Sequence, residues 1–206
     1  WGHLVGDAVG VPYEFRPASA IGAARYLVRL AKKRAQNERL QVVFKEGDAR
    51  NPRLPETSFD CVAIMGNSFG YFSNKQDDEK VLAAVGKILR PSGQLVLDIT
   101  DGGHMHENFD KRSWEWIDEH HFVCRERSLS SDRDRLISRE VIVHDELGVI
   151  ADQFYAERLY TRETIGKLME KTGFRNVRHH GNAEALSAPD QHLAMMARRL
   201  LLSADA

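Results

Sequence analysis

Phe59-Asp60-Cys61-Val62-Ala63-Ile64-Met65-Gly66-Asn67 decides how the chain must be folded. Its apolar run is too short for a helix and stops at Gly66-Asn67, so it reads as a buried strand. Downstream, Gln94-Leu95-Val96-Leu97-Asp98-Ile99 repeats the pattern after a Pro91-Ser92-Gly93 turn. Between the two, Asp77 to Leu89 predicts an amphipathic helix. Val81, Leu82, Val85, Ile88 and Leu89 share one face, the start is acidic (Asp77, Asp78, Glu79) and the end is basic (Lys87, Arg90). Upstream, Gln41-Val42-Val43-Phe44 predicts a further strand running into Lys45-Glu46-Gly47-Asp48-Ala49. Apolar strands separated by helices mark a parallel sheet covered on both faces, an α/β fold. Such sheets bind ligands at the carboxyl ends of their strands. Gly47-Asp48-Ala49, Met65-Gly66-Asn67 and Asp98-Ile99-Thr100 all fall there.

Residues 112–160 carry a different signal. Trp114-Glu115-Trp116, His121 to Arg125, Leu136 to Val143 and Gln153 to Leu159 alternate partially with period two, with turns at Ser130-Ser131-Asp132 and Glu146-Leu147-Gly148. This predicts an inserted antiparallel layer of three or four strands with one polar face. Thr161 caps a helix to Lys171 that Gly173 stops. Phe174–His179 and His192–Ala197 are the expected last strands, and Ile21–Ala35 is the one convincing helix near the start.

The chain has 206 residues, of which 42% are hydrophobic and 29% charged, which fits one domain with a real core. Lys and Arg total 29 against 30 Asp and Glu, a net charge of −1. A balance of that kind argues against nucleic acid as the main partner. No run reaches the roughly 18 apolar residues of a membrane span, and Trp1-Gly2-His3-Leu4 is unlike a signal peptide. Cys61 and Cys124, without CxxC spacing, are expected to be reduced and partly buried in a cytoplasmic protein.

Four pieces then fall in a telling order: Glu46-Gly47-Asp48-Ala49, Leu54-Pro55, Ser58-Phe59-Asp60-Cys61-Val62 and Leu89-Arg90-Pro91-Ser92-Gly93-Gln94-Leu95. Together with Arg158-Leu159-Tyr160-Thr161 and Thr172-Gly173-Phe174, the chain resembles the class I S-adenosylmethionine-dependent methyltransferases. The resemblance covers residues 40–100 and 158–198. It implies a Rossmann-like sheet, S-adenosyl-L-methionine as cofactor and methyl transfer as the activity. Asp48 would accept from the adenine amino group, and Ala49, beside Gly47, would offer its amide to the ring. Met65, Gly66 and Asn67 would border the methionine end.

The family's glycine-rich turn after its first strand, and the acidic end of its second, are not found. A βαβ unit needs about 30 residues, and there is no room for one before Leu40. Gly2 to Gly10 bears glycines but follows no strand. The junction Arg16-Pro17-Ala18-Ser19-Ala20-Ile21-Gly22 therefore predicts an internal omission between Arg16 and Arg25.

Methyl transfer mainly requires the acceptor held in line, with a general base when the acceptor is a hydroxyl or a protonated amine. His104 and His106, in the expected loop Asp101 to Glu107, are the candidate bases. A metal site is not expected, because His104, His106 and Glu107 form no closed ligand set. Phe69, Tyr71, Tyr155 and Arg158 are candidate acceptor contacts if residues 112–160 roof the site. The leading expectation is a small-molecule O- or N-methyltransferase, with a homodimer left open. The rivals are a non-catalytic binding or dimerisation module, a nicotinamide-dependent enzyme, and a tRNA or protein methyltransferase.

Overall fold

The computed structural model describes residues 5–6 (backbone only), 28–29, 31–116, 118–182 and 198–206. A five-stranded sheet runs in the order β1 (Val5–Gly6), β2 (Phe59–Ile64), β3 (Leu89–Thr100), β9 (Arg199–Asp205), β8 (Arg175–Asn182). β1, β2 and β3 are mutually parallel, and β9 pairs antiparallel with both β3 and β8. A second sheet, β4 (Arg112–Trp116), β5 (His121–Leu129), β6 (Arg135–His144) and β7 (Gly148–Arg158), is a fully antiparallel meander. The helices are α1 (31–37), α2 (Lys75–Ile88), α3 (Gly102–Asn108) and α4 (Arg162–Lys171).

Helix α2 starts where Asn74 accepts from the Gln76 amide, and Asp77 and Asp78 complement its positive end. Its Val81, Leu82, Val85 and Ile88 are buried against Leu95, Leu97 and Leu202 in one core. Each such side chain contributes roughly 1.5–3 kcal/mol. Helix α4 is closed by reciprocal bonds between Thr161 and Thr164, the capping box with a threonine in its third position. Gly102 opens α3 against the 159–160 backbone. A Cβ there would meet the Leu159 carbonyl carbon at 2.5 Å and the Tyr160 oxygen at 2.6 Å, so only glycine fits.

Several sequence expectations are corrected. Residues 41–44 join no strand, and Val43 is 76% exposed. β-propensity alone cannot hold a strand without a neighbour to pair with. Val5–Gly6, discounted for want of a preceding strand, is itself a strand beside β2, with Val5 opposite Ala63. The last strand is Arg199–Asp205, whose Leu202 and Ala204 fill the core. Residues 192–197 lie outside the described residues, as does the junction between Arg16 and Arg25. Cys61 and Cys124 are free but exposed rather than partly buried, since both fall on outward-facing strand positions.

The two sheets are tied together through Arg158 at the end of β7. Its guanidinium, 3% exposed, contacts the wholly buried Asp78 of α2 and donates to Asp134 at 2.9 Å and to the Ser73 carbonyl at 3.2 Å. Tyr160 donates to the same Asp78 carboxylate at 2.8 Å. Removing one partner leaves a buried charge uncompensated. Arg158→Leu alone should therefore cost about 3–5 kcal/mol, whereas Arg158→Leu with Asp78→Leu should cost clearly less than that. Urea denaturation of the two variants checks the ordering.

Candidate active site

Strands β1 and β2 are neighbours in the sheet yet far apart in sequence. Their carboxyl ends therefore border the crevice where doubly wound sheets take ligands. At the end of β2 the chain turns through Gly66 and Asn67, both left-handed at φ 67° and 58°. Asparagine tolerates that conformation better than other side chains do. The turn places the Gly66 amide 3.2 Å from Asp98 Oδ2 and the Asn67 amide 3.1 Å from the Asp98 carbonyl. Asn67 Oδ1 accepts from the Thr100 amide at 2.8 Å, which locks the end of β2 to the end of β3.

The Asn67 amide nitrogen faces the other way, into the second sheet. It donates to Glu157 Oε2 at 2.5 Å and to the Tyr71 hydroxyl at 3.1 Å. The Tyr71 ring lies 6.2 Å from that of Tyr155. Asn67, Tyr71, Tyr155 and Glu157 thus form one cluster at the strand ends. Burial pushes the Glu157 carboxyl up, against the Asn67 hydrogen bond and the attraction of Arg127. Burial likewise holds the Tyr71 hydroxyl well above its usual range. Glu157 was not singled out in sequence. Its signal was an acid at an inward position of an alternating strand.

The cluster continues along the inward side of the sheet. Val123, Leu136 and Ser138 are buried there, and cross-strand register puts Arg125, Glu140 and Gln153 in line. Arg125 bonds Glu140 Oε2 at 2.7 Å and contacts Glu115, while Gln153 reaches Glu140 Oε1 at 3.0 Å. Arg127 donates to Ser113 Oγ at 2.9 Å and to the Asp110 carbonyl at 3.1 Å.

The other expected residues divide. Asp48 and Ala49 lie in an exposed turn closed by the Asn51 amide on the Asp48 carbonyl at 2.9 Å, with Gly47 exposed before it. Arg50 grips the Asp48 carboxylate through its Nε and a terminal nitrogen, at 3.0 and 2.8 Å, and bonds Asp77 at 2.8 Å. Those bonds hold the Asp48 carboxyl below its usual range, so it is an ionised acceptor at neutral pH. Met65 is 40% exposed. Phe69, expected at the acceptor, is instead a core residue, 4% exposed and 5.6 Å from the Tyr160 ring. Arg158, also expected there, spends its guanidinium on the clamp between the sheets.

His104 and His106 sit on helix α3, not on a loop, because Asp101 caps the amides of Gly103 and His104. Two residues along a helix lie about 200° apart, so the pair cannot share a site as an extended loop would allow. His106 borders a cavity of about 250 Å³ with Lys75, Arg133 and Thr164. Among the described residues no group of His, Cys, Asp or Glu is arranged to hold a metal ion. None of their helices is long and apolar enough to cross a membrane.

Comparison with known proteins places this geometry. Residues 17–93 match the family model described as a methyltransferase domain. Demethylmenaquinone methyltransferase from Thermus thermophilus is 37% identical over 82 residues, 39% of this chain and 36% of that protein. The enzyme of the same name from Deinococcus radiodurans is 38% identical over 71 residues, 34% of this chain and 28% of its own. The matches thus span about a third of the length of those relatives. An S-adenosylmethionine-dependent methyltransferase from Clostridium acetobutylicum superposes with a TM-score of 0.64 at 18% identity, over 85% of this chain and 69% of that one. A sugar N-methyltransferase from a Streptoalloteichus species gives 0.57 at 18% identity, over 83% and 65%. The chain shares the Rossmann-like fold of these solved methyltransferases, and residues 17–93 match the sequence model of a methyltransferase domain.

One stability prediction follows from the cluster. A carboxyl whose folded pKa is raised favours the fold below its unfolded value of 4.5 and loses that advantage as pH rises through the folded value. Glu157→Gln has no such loss. Its melting temperature should exceed that of the wild type near pH 7, and the gap should close near about pH 4. Thermal scans at the two pH values measure it.

Proposed function

We propose that the protein is an S-adenosylmethionine-dependent methyltransferase acting on an O or N of a small-molecule acceptor. The observation that carries the reading is the polar cluster Asn67-Tyr71-Tyr155-Glu157 at the carboxyl ends of β2 and β3. The described residues fit the cofactor in part. Asp48 offers an ionised, half-exposed carboxylate beside Ala49, in the place the family resemblance gives to adenine. At the other end Asp98 pairs with Arg199 through Oδ2, and its Oδ1 is buried without a hydrogen-bond partner next to the Gly66-Asn67 turn. That is unused acceptor capacity of the sort an ammonium group takes up. Asp48, Ala49, Met65, Gly66 and Asn67 are the residues assigned to hold it.

When bound, that cofactor supplies a methyl group on a sulfonium, a displacement that needs no metal. The chain's own part is to place the acceptor and take up its proton. In this reading residues 112–160 are an inserted layer that roofs the pocket, with Tyr71 and Tyr155 on the acceptor. Its narrow, polar inner side suits a compact molecule better than a tRNA or a protein. The solved neighbours include enzymes named for amino pentose and sugar N-methylation, which supports a small acceptor. A cytoplasmic location agrees with the free cysteines.

Calorimetric titration with S-adenosylmethionine tests the cofactor assignment. Wild type should bind, and Asp48→Ala should bind more weakly by about 1.5–3 kcal/mol, the range for hydrogen bonds to a charged group. Equal affinities would remove Asp48 from the site, and no binding by wild type would favour the non-catalytic module. For a hydroxyl acceptor His104, half-buried on α3, is the candidate base. His104→Ala should lower turnover about 10²- to 10⁴-fold with cofactor affinity unchanged. A wild-type rate would make the histidine a bystander.

A further inference from the structure

The inward side of the β4–β7 sheet is unbalanced in charge. Its carboxylates are Glu115, Glu140 and Glu157, and its cations are Arg125 and Arg127. Arg125 is shared by Glu115 and Glu140. Arg127 is held by a hydroxyl and a backbone carbonyl, and neither arginine forms an ion pair with Glu157. Glu157 is therefore a buried acid, 7% exposed, bonded by the neutral Asn67 amide, with Arg127 attracting it from beyond ion-pair distance. Buried charges are normally paired with an opposite charge. Beside Glu157 at the strand ends lie Tyr71 and Tyr155, their rings 6.2 Å apart.

We infer that Glu157 receives a cationic nitrogen of the acceptor, so that the substrate class is an amine rather than an alcohol or phenol. The inference rests on the methyltransferase reading and narrows it. An ammonium arriving there gives its proton to the Glu157 carboxylate, leaving a neutral amine with its lone pair free. That lone pair forms the new nitrogen–carbon bond as the carbon–sulfur bond breaks, and the bonding pair remains on sulfur as a neutral thioether. The product nitrogen carries the positive charge, and Glu157 returns its proton to solvent when the product leaves. Burial already favours the protonated carboxyl, which suits a group that must hold a proton through the transfer. Tyr71 and Tyr155 present ring faces and hydroxyls, both of which attract ammonium groups.

The test needs no knowledge of the natural acceptor. Cyclohexylamine and cyclohexanol have nearly the same shape and differ in charge. Each is titrated calorimetrically into wild type and Glu157→Gln, with S-adenosylhomocysteine present and absent. Wild type should prefer the amine by about tenfold or more, and the Gln variant should lose the preference while binding S-adenosylhomocysteine as before. Equal binding of amine and alcohol by wild type, or no saturable binding of either, overturns the inference. So does a preference that survives in Glu157→Gln. Because the wild-type comparison stands alone, a variant that failed to fold would not rescue the idea. S-adenosylhomocysteine binding without amine preference sinks only the amine assignment, whereas failure to bind S-adenosylhomocysteine sinks the methyltransferase reading beneath it.

Discussion

The buried pairing of Arg158 with Asp78 is the contact on which the relation of the two sheets depends. Adjacent residues on a strand point to opposite faces. Once Arg158 is fixed on α2, Glu157 must face the other way, toward the carboxyl ends of β2 and β3. Asn67 meets it there, and the same Asn67 side chain bridges β2 to β3 through the Thr100 amide. Two consecutive residues therefore do different work. One binds the layers together with charge, and the other brings a carboxyl group to the Asn67 turn at the end of β2.

That arrangement explains what the sequence disclosed and what it hid. The parallel core was legible because β2 and β3 are apolar on both faces, and α2 shows its buried stripe at Val81, Leu82, Val85 and Ile88. Caps at Asn74 and Thr161 are local chemistry and could be read directly. Strand formation at 41–44 is not local, because a strand exists only beside another one, and propensity carries no information about that neighbour. Helix α3 was misread for a related reason. Gly102-Gly103 has poor helix propensity, and the pressure for glycine comes from the 159–160 backbone packed against it.

The site residues divide along the same line. Met65, Gly66 and Asn67 stand out as candidates because glycine and a polar turn mark the end of β2, whereas Asp48 follows residues that pair with no strand. Phe69 and Arg158 were misassigned because an aromatic or an arginine near a strand end has two outlets, the core and the crevice, and the choice is made by tertiary packing. Glu157 was passed over because Phe154-Tyr155-Ala156-Glu157-Arg158 reads as an ordinary amphipathic strand. Only the placement of Asn67 turns its acid inward.

The inward side of the second sheet mixes apolar and polar groups, with Val123 and Leu136 buried there beside Ser138 and Glu157. An antiparallel sheet with one packed face ordinarily turns its apolar side inward. Here Trp114, Trp116, Val149 and Phe154 are exposed, while Ser138 and Glu157 are buried and Arg125 and Glu140 are paired on the inward side. Holding polar groups inside costs free energy unless they are bonded to one another or to something they enclose. The Arg125-Glu140-Gln153 chain satisfies the first condition. Glu157 and Tyr71 meet it through the Asn67 amide, which bonds them both.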